Sequence, residues 1–254
     1  MTYRVALQTI LFKEIYRFLR IWPQTVLPPA VTTGLYFLIF GTVVGARIGE
    51  MGGFSYIDYI VPGVVLMSVI TNSYMNVVSS FYSTKFQHNI EELLVAPVPD
   101  GVILAGYVGG GVMRGLVVGG VVLAISALFA DFHPVHPWAV AAMLVLTATL
   151  FSLAGFLNAI FANSFDDISI VPNFVLTPLV YLGGVFYSIE LLPDFWREAS
   201  RFNPILYMIN AFRYGFLGIS DVPVELAFAM VGILILVLTL AALILLRRGT
   251  GLKT

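Results

Sequence analysis

The stretch Leu226-Ala227-Phe228-Ala229-Met230-Val231-Gly232-Ile233-Leu234-Ile235-Leu236-Val237-Leu238-Thr239-Leu240-Ala241-Ala242-Leu243-Ile244-Leu245-Leu246 runs twenty-one residues without a charge and stops at Arg247-Arg248. At about 1.5 Å per helical residue it reaches about 30 Å, the depth of a bilayer's hydrocarbon core. Five more runs of similar character come before it, near Val26–Ala46, Ile57–Ser79, Gly110–Ala130, Ala139–Phe161 and Ser169–Ser188. Strands of a membrane barrel would instead appear as short alternating segments. The expected fold class is therefore all-α and integral to a membrane, with six transmembrane helices forming a single domain over 1–254.

Composition agrees with that reading. Hydrophobic residues make up 59% of the 254 and charged ones 11%, against about a quarter charged in an ordinary soluble domain. So few charges cannot cover a water-soluble surface, and disorder requires the opposite balance. The net charge of -1 offers no basic surface, so nucleic acid is set aside as a partner. Without a cysteine the chain has no disulfide, thiolate metal site or cysteine nucleophile. Arg4, Lys13, Glu14, Arg17 and Arg20 interrupt the N-terminal stretch where a cleavable signal needs an uncharged apolar core, so the mature chain is expected to begin near Met1.

An even number of spans puts both termini on one side. Arg4, Lys13, Arg17, Arg20, Lys85, Arg247, Arg248 and Lys253 lie there, against Arg47, Arg197, Arg201 and Arg213 opposite. The positive-inside rule makes both termini cytoplasmic. Within 1–24, Lys13, Arg17 and Arg20 share one side of a helical wheel and Leu11, Ile15, Phe18 and Trp22 the other, which predicts a helix lying along the inner membrane surface. Pro23, Pro28 and Pro29 are expected to separate it from the first span. The connection 189–225 contains Leu191–Glu198, a mixture of aromatic and charged residues, and the short apolar piece Pro204–Tyr214. It is expected to form a pair of short helices dipping into the outer leaflet.

Polar residues in the spans are ordered. Ser68, Asn72, Asn76 and Ser79 recur along one side of the second span, with Thr71 beside them, and Asn173, Thr177, Tyr181, Gly184 and Ser188 do the same in the fifth. Unpaired amides and hydroxyls are costly in hydrocarbon, so both stripes should face other helices or a watery cavity. Single residues of this kind serve as interhelical glue as readily as they line a path. Whole stripes point to a lined pathway, and their neutrality to amphipathic or uncharged cargo. Counting back from Asp131 places Arg114 about one turn inside the third span, where it would snorkel to the inner headgroups. Gly111, Gly115 and Gly119 in the same span are spaced for close helix packing.

Catalytic motifs do not emerge. His133 and His136 are each followed by proline, which suits an outer turn better than a metal site. The adjacent Asp166 and Asp167 read as the start of the fifth helix rather than as a catalytic pair. Lys13, Lys85 and Lys253 lack the preceding glycine of a phosphate-binding loop. No catalytic residue, resident cofactor or metal is expected in this chain, and any ATP would have to be bound by a separate subunit.

The segment 81–100 is cytoplasmic in this topology. Ile90, Leu93 and Leu94 share a face opposite Gln87, Glu91 and Glu92 until Pro97 stops the helix. The motif Ile90-Glu91-Glu92-Leu93-Leu94-Val95-Ala96-Pro97-Val98 resembles the cytoplasmic segment of type-2 ATP-binding-cassette export permeases. Asn203-Pro204-Ile205-Leu206-Tyr207-Met208-Ile209-Asn210-Ala211-Phe212-Arg213 is similar to the same family's outer re-entrant region. The resemblance implies a homodimer of six-span subunits in the cell membrane, the inner membrane in a Gram-negative cell. Each subunit would dock on a cytosolic ATP-binding subunit that holds ATP and Mg. It also implies that Lys85, Glu91, Glu92, Leu93, Leu94 and Pro97 belong to the coupling segment. Ser68, Asn72, Asn76, Ser79, Asn173, Thr177, Tyr181 and Ser188 would line the substrate path, with membrane lipids as further partners.

Two other readings compete. Ile60-Val61-Pro62 and Ile170-Val171-Pro172 hint at inverted repeats and hence at a secondary transporter driven by an ion gradient, although no span contains an acid for coupling. A membrane-bound acyl or glycosyl transferase would need a clustered acid, base or nucleophile, for which the His133 and His136 turn is a poor candidate.

Overall fold

The computed structural model describes residues 3–130 and 133–251. Asp131 and Lys253, used above, and the side chain of Leu94 lie outside the described residues. The order is α1 (Tyr3–Arg20), α2 (Trp22–Ile48), a two-stranded ribbon (Glu50–Met51 with Phe54–Ser55) and α3 (Tyr56–Phe86). After these come α4 (Asn89–Val95), α5 (Asp100–Ser126), α6 (Pro137–Phe161), α7 (Asp167–Leu182), α8 (Asp194–Arg201), α9 (Pro204–Leu217) and α10 (Val224–Arg248). Five of the described helices, α2, α3, α5, α6 and α10, are long and apolar enough to cross a membrane, and α7 is a shorter apolar helix.

α3 is the axis of the bundle. Most of it is buried by its neighbours, while few residues of α2 and α10 are fully enclosed. Ser55 opens α3 reciprocally: its hydroxyl donates to the Asp58 carboxylate at 2.6 Å and accepts from the Asp58 backbone N–H at 3.3 Å. Farther along, Phe81 meets Tyr107 of α5 edge-on at 5.1 Å and Phe156 of α6 at 4.2 Å between ring centroids.

Glycines bring the helix backbones together. A Cβ on Gly155 of α6 would lie 2.5 Å from the Tyr74 carbonyl oxygen, so α3 and α6 touch backbone to backbone there. Gly111, Gly115 and Gly119 of α5 receive Val77, Ser73 and Val69 of α3, the packing their spacing predicts. A second glycine row on α5 has another purpose. Gly106 accommodates Ile10, Gly110 accommodates Glu14, and so α5 forms the bed of α1.

That bed corrects the expected face of α1. Its enclosed residues are Ile10, Glu14 and Phe18, whereas Trp22 is exposed at the start of α2. The Glu14 carboxylate is fully buried, accepts from the Ser80 hydroxyl of α3 at 2.6 Å and pairs with Arg17 at 3.4 Å. Arg17 is turned into the protein, not toward headgroups. A hydrophobic-face argument assigns Glu14 and Arg17 to solvent because it weighs each charge alone, and these two neutralise one another.

Other boundaries also differ from expectation. α5 begins at Asp100, ten residues before the expected start, since a glycine-rich stretch packed on α1 keeps its helix. α2 starts at Trp22 and continues through Pro28 and Pro29. Pro23 occupies its tolerant first turn, and the break from α1 falls at Ile21. The fifth apolar run is helical only to Leu182, because Gly183 and the left-handed Gly184 (φ +77°) turn the chain. Before that, Pro172 and Pro178 interrupt its hydrogen-bond ladder, which widens into a π-helical turn at Pro172–Leu176, and the Thr177 hydroxyl donates to the Pro172 carbonyl at 2.9 Å. The connection 189–225 contains α8 and α9. α9 is largely buried against α3, α6 and α10.

Replacing Gly155 by valine should lower the stability of the detergent-solubilised protein by about 1–3 kcal/mol, read as a reduced thermal midpoint, because the contacted atom is backbone and cannot turn aside. Glu14→Ala should cost about 3–5 kcal/mol by leaving Arg17 without its carboxylate. The paired change Glu14→Met with Arg17→Met should cost less than Glu14→Ala alone in the same melts.

Candidate functional site

The polar row of α3 keeps the spacing seen in the sequence, but its members do not share one environment. Asn76 is enclosed, and its side-chain and backbone oxygens accept from Arg17 at 2.9 and 2.8 Å. One turn earlier the Asn72 side-chain oxygen accepts from Arg114 at 3.1 Å, while its amide donates to the Ser68 carbonyl at 3.0 Å. The hydroxyls of Ser68 and Ser79 donate back to the Val64 and Met75 carbonyls at 3.1 and 2.7 Å. Two neighbouring amides therefore each hold a guanidinium. The stripe expected to be neutral runs beside two positive charges.

Arg114 is the larger correction. The early start of α5 leaves it near the midpoint of the helix, and it points toward α3 rather than toward the inner headgroups. It is among the residues that line a cavity of about 320 Å³ between α2 and α3, where Thr32, Thr33 and Tyr36 face Ser68, Thr71 and Asn72. A second cavity, of about 220 Å³, lies between α3 and α7 and brings Thr71 together with Asn173 and Thr177. Met67, Thr71 and Met75 border both, so a single ridge of α3 separates them.

The two polar rows thus approach each other at Thr71, Asn173 and Thr177. Tyr181 faces α2, with its hydroxyl 3.1 Å from that of Tyr36. Asn76 and Ser79 border neither cavity. Ser188 is not on the helical row, since it follows the Gly183–Gly184 turn and its hydroxyl donates to Asp221 at 3.1 Å.

On the expected cytoplasmic side, His88 in a left-handed conformation (φ +59°) reverses the chain from α3 into α4. Ile90 is 1% exposed and Leu93 half-buried, so α4 is fixed to the body by one face. Glu91 and Glu92 are exposed on the other, and the Glu91 carboxylate lies 3.9 Å from the His88 ring. Pro97 is exposed just beyond the helix end. Lys85, expected with the coupling positions, faces the opposite way. Its ammonium donates to the carbonyls of Ile160 and Ala162 at 2.8 and 2.7 Å and so caps the C-terminal end of α6.

Residues read as structural occupy ordinary positions. The Asp167 carboxylate accepts from the backbone N–H groups of Asn163 and Ser164 at 2.9 and 3.1 Å and starts α7. His136 stacks on Tyr214 with 4.5 Å between ring centroids, and its backbone N–H donates to Gly215. Sequence reasoning missed the enclosed group of Glu14, Arg17, Asn76 and Ser80. The i, i+3 spacing of Glu14 and Arg17 signalled an ion pair, but nothing local signalled that the pair is buried.

The sequence profile of the family described as ABC-2 type transporter matches residues 5–217. The chain is 62% identical to the inner membrane transport permease YadH of Escherichia coli strain K12, over 99% of this chain and 98% of that protein. More distantly, it is 23% identical to nodulation protein J of Rhizobium leguminosarum biovar viciae, over 84% of this chain and 83% of that one. A long family match, a near relative along almost the whole length and the apolar helix bundle agree: this chain is a membrane protein of the ABC-2 type transporter family.

Proposed function

We propose that this chain is the membrane-spanning permease subunit of an ATP-driven exporter in the inner membrane, acting as a homodimer with a separate cytosolic ATP-binding subunit. The observation that carries this reading is α4. It is a short helix held to the bundle through Ile90, it presents Glu91 and Glu92 outward, and it follows the buried central helix α3 through the reversal at His88. An outside subunit pressing on the acidic face would therefore act on the helix that borders both cavities.

The six-span topology belongs to the same proposal. The sixteen residues of α7 reach about 24 Å, short of a full crossing, and the turn through Gly183 to Ser188 would complete it. Both termini would then be cytoplasmic, as the Lys and Arg distribution implies. The exposed side of α7, with Asn173, Phe174, Thr177 and Tyr181, would meet the second subunit and enclose the path between α3 and α7. In this cycle ATP binding closes the partner subunits, α4 is displaced, and the paired α3 and α7 surfaces alternate between inward and outward opening.

One observation favours a gradient-driven carrier instead, namely the buried carboxylate of Glu14. That carboxylate is already engaged within this chain by Arg17 and by the Ser80 hydroxyl. Collapsing the proton and sodium gradients while ATP is maintained should leave transport running. Affinity purification in mild detergent should recover an ATP-binding subunit in equal proportion. Glu91→Lys with Glu92→Lys should reduce the ATPase of that complex several-fold while the permease still inserts. Unchanged ATPase in that variant would remove α4 from the coupling role.

A further inference from the structure

We propose that the cavity between α2, α3 and α5 is a binding site for the acidic head group of an amphiphile, a carboxylate or phosphate monoester seated against Arg114. This goes beyond the permease reading, and its test reads binding rather than ATP hydrolysis, so the two can fail separately.

The first support is charge. Two guanidiniums, Arg17 and Arg114, meet adjacent amides of α3, but one carboxylate, Glu14, is enclosed with them. Glu14 is engaged by Arg17 and Ser80. Arg114 is hydrogen-bonded to the neutral side chain of Asn72, and its Nε is buried with no hydrogen-bond partner among the described residues. A neutral amide accepts a hydrogen bond without cancelling a charge. An arginine near the middle of a spanning helix is costly until an anion joins it.

The second support is shape. A volume of about 320 Å³ accommodates a head group and the first part of a chain. Gln24, Thr32, Thr33 and Ser68 supply polar contacts, and Pro28 and Met75 an apolar wall. The third is access. Thr32 and Thr71 at the mouth are exposed, and Leu27, Val31 and Leu35 on α2 present apolar surface beside it. A ligand arriving there comes from hydrocarbon, so the anion that reaches Arg114 carries an apolar tail. Guanidinium geometry suits two-oxygen acids, which a lysine at the same place would hold less well.

The purified protein, with any subunit that accompanies it, should be placed in phosphatidylcholine nanodiscs and titrated with a fluorescent long-chain carboxylate, the matching alkyl phosphate and the methyl ester of the carboxylate. The two acids should bind at least about tenfold more tightly than the ester, about 1.4 kcal/mol. Arg114→Gln should abolish that preference, Arg114→Lys should keep part of it, and Arg248→Gln at the exposed end of α10 should leave it intact. Met75→Trp, which fills the cavity without removing the charge, should weaken all three probes, and it keeps the test decisive if Arg114→Gln does not fold. Equal binding of acid and ester to the unaltered protein, or a preference that survives Arg114→Gln, overturns the proposal. Adding phosphatidylglycerol to the nanodiscs identifies the source: displacement of the probes marks a resident lipid, and undiminished binding marks a transported acid.

Discussion

A polar side chain in hydrocarbon is costly unless another group answers it, and five side chains of α3 are answered from neighbouring helices. Asn72 is met by Arg114, Asn76 by Arg17, Ser80 by Glu14, Thr84 by the Tyr107 hydroxyl at 3.1 Å, and Lys85 by the last carbonyls of α6. Each partner lies on a different neighbour or a different turn. Apolar packing alone would leave α3 free to rotate or slide against its neighbours, because lipid tails are as apolar as leucine. The ordered series of polar contacts fixes both its rotation and its depth. The glycines of α5 and α6 make this feasible, since close backbones exclude lipid from groups that would otherwise face it.

The sequence made some of this legible and concealed the rest for physical reasons. Long uncharged runs identify spanning helices because length and apolarity are the physical requirements for crossing, and α2, α3, α5, α6 and α10 follow from them. The glycine spacing at 111, 115 and 119 and the polar periodicity at 68, 72 and 76 were also readable, since both are local properties of one helix. What failed depended on partners distant in the chain. Glu14 reads as solvated until Ser80, sixty-six positions away, is placed beside it. Lys85 reads as a free cytoplasmic charge until the end of α6 arrives, and Arg114 reads as an anchor when the start of α5 is taken ten residues too late. Ser188 reads as part of the helical row only while the turn at Gly183 and left-handed Gly184 goes unrecognised.

The bundle is also unequal in its joints. α1, α3, α5 and α6 are joined by glycine contacts and buried polar pairs, a combination that resists sliding. α2 and α7 border cavities on α3, with α2 touching it closely at Gly41 and Ile57, and both contain π-helical turns and internal prolines. Such turns lack a regular hydrogen-bond ladder and are common where helices bend. A change in the cavities is therefore cheaper through α2 and α7 than through the core beneath them.

In the proposed cycle this asymmetry determines where force would go. α4 is attached to the end of α3 by the His88 turn and by buried Ile90, so a displacement of its acidic face would be delivered to α3 before any other span. Through Lys85, Ser80 and Asn76 the same displacement reaches α6 and α1, which would travel with α3 as one body. α2 is held to α3 where Gly41 meets Ile57, α7 is held to α9 by the Asn203 amide donating to the Leu179 carbonyl at 2.6 Å, and Tyr36 and Tyr181 bridge α2 and α7 across the face of α3. Movement of the rigid body against that bridge would change both cavities at once, because Met67, Thr71 and Met75 form a wall of each. In that proposed cycle the coupling would require no wire of side chains to a distant site, since the helix that would be pushed is the helix that separates the two cavities.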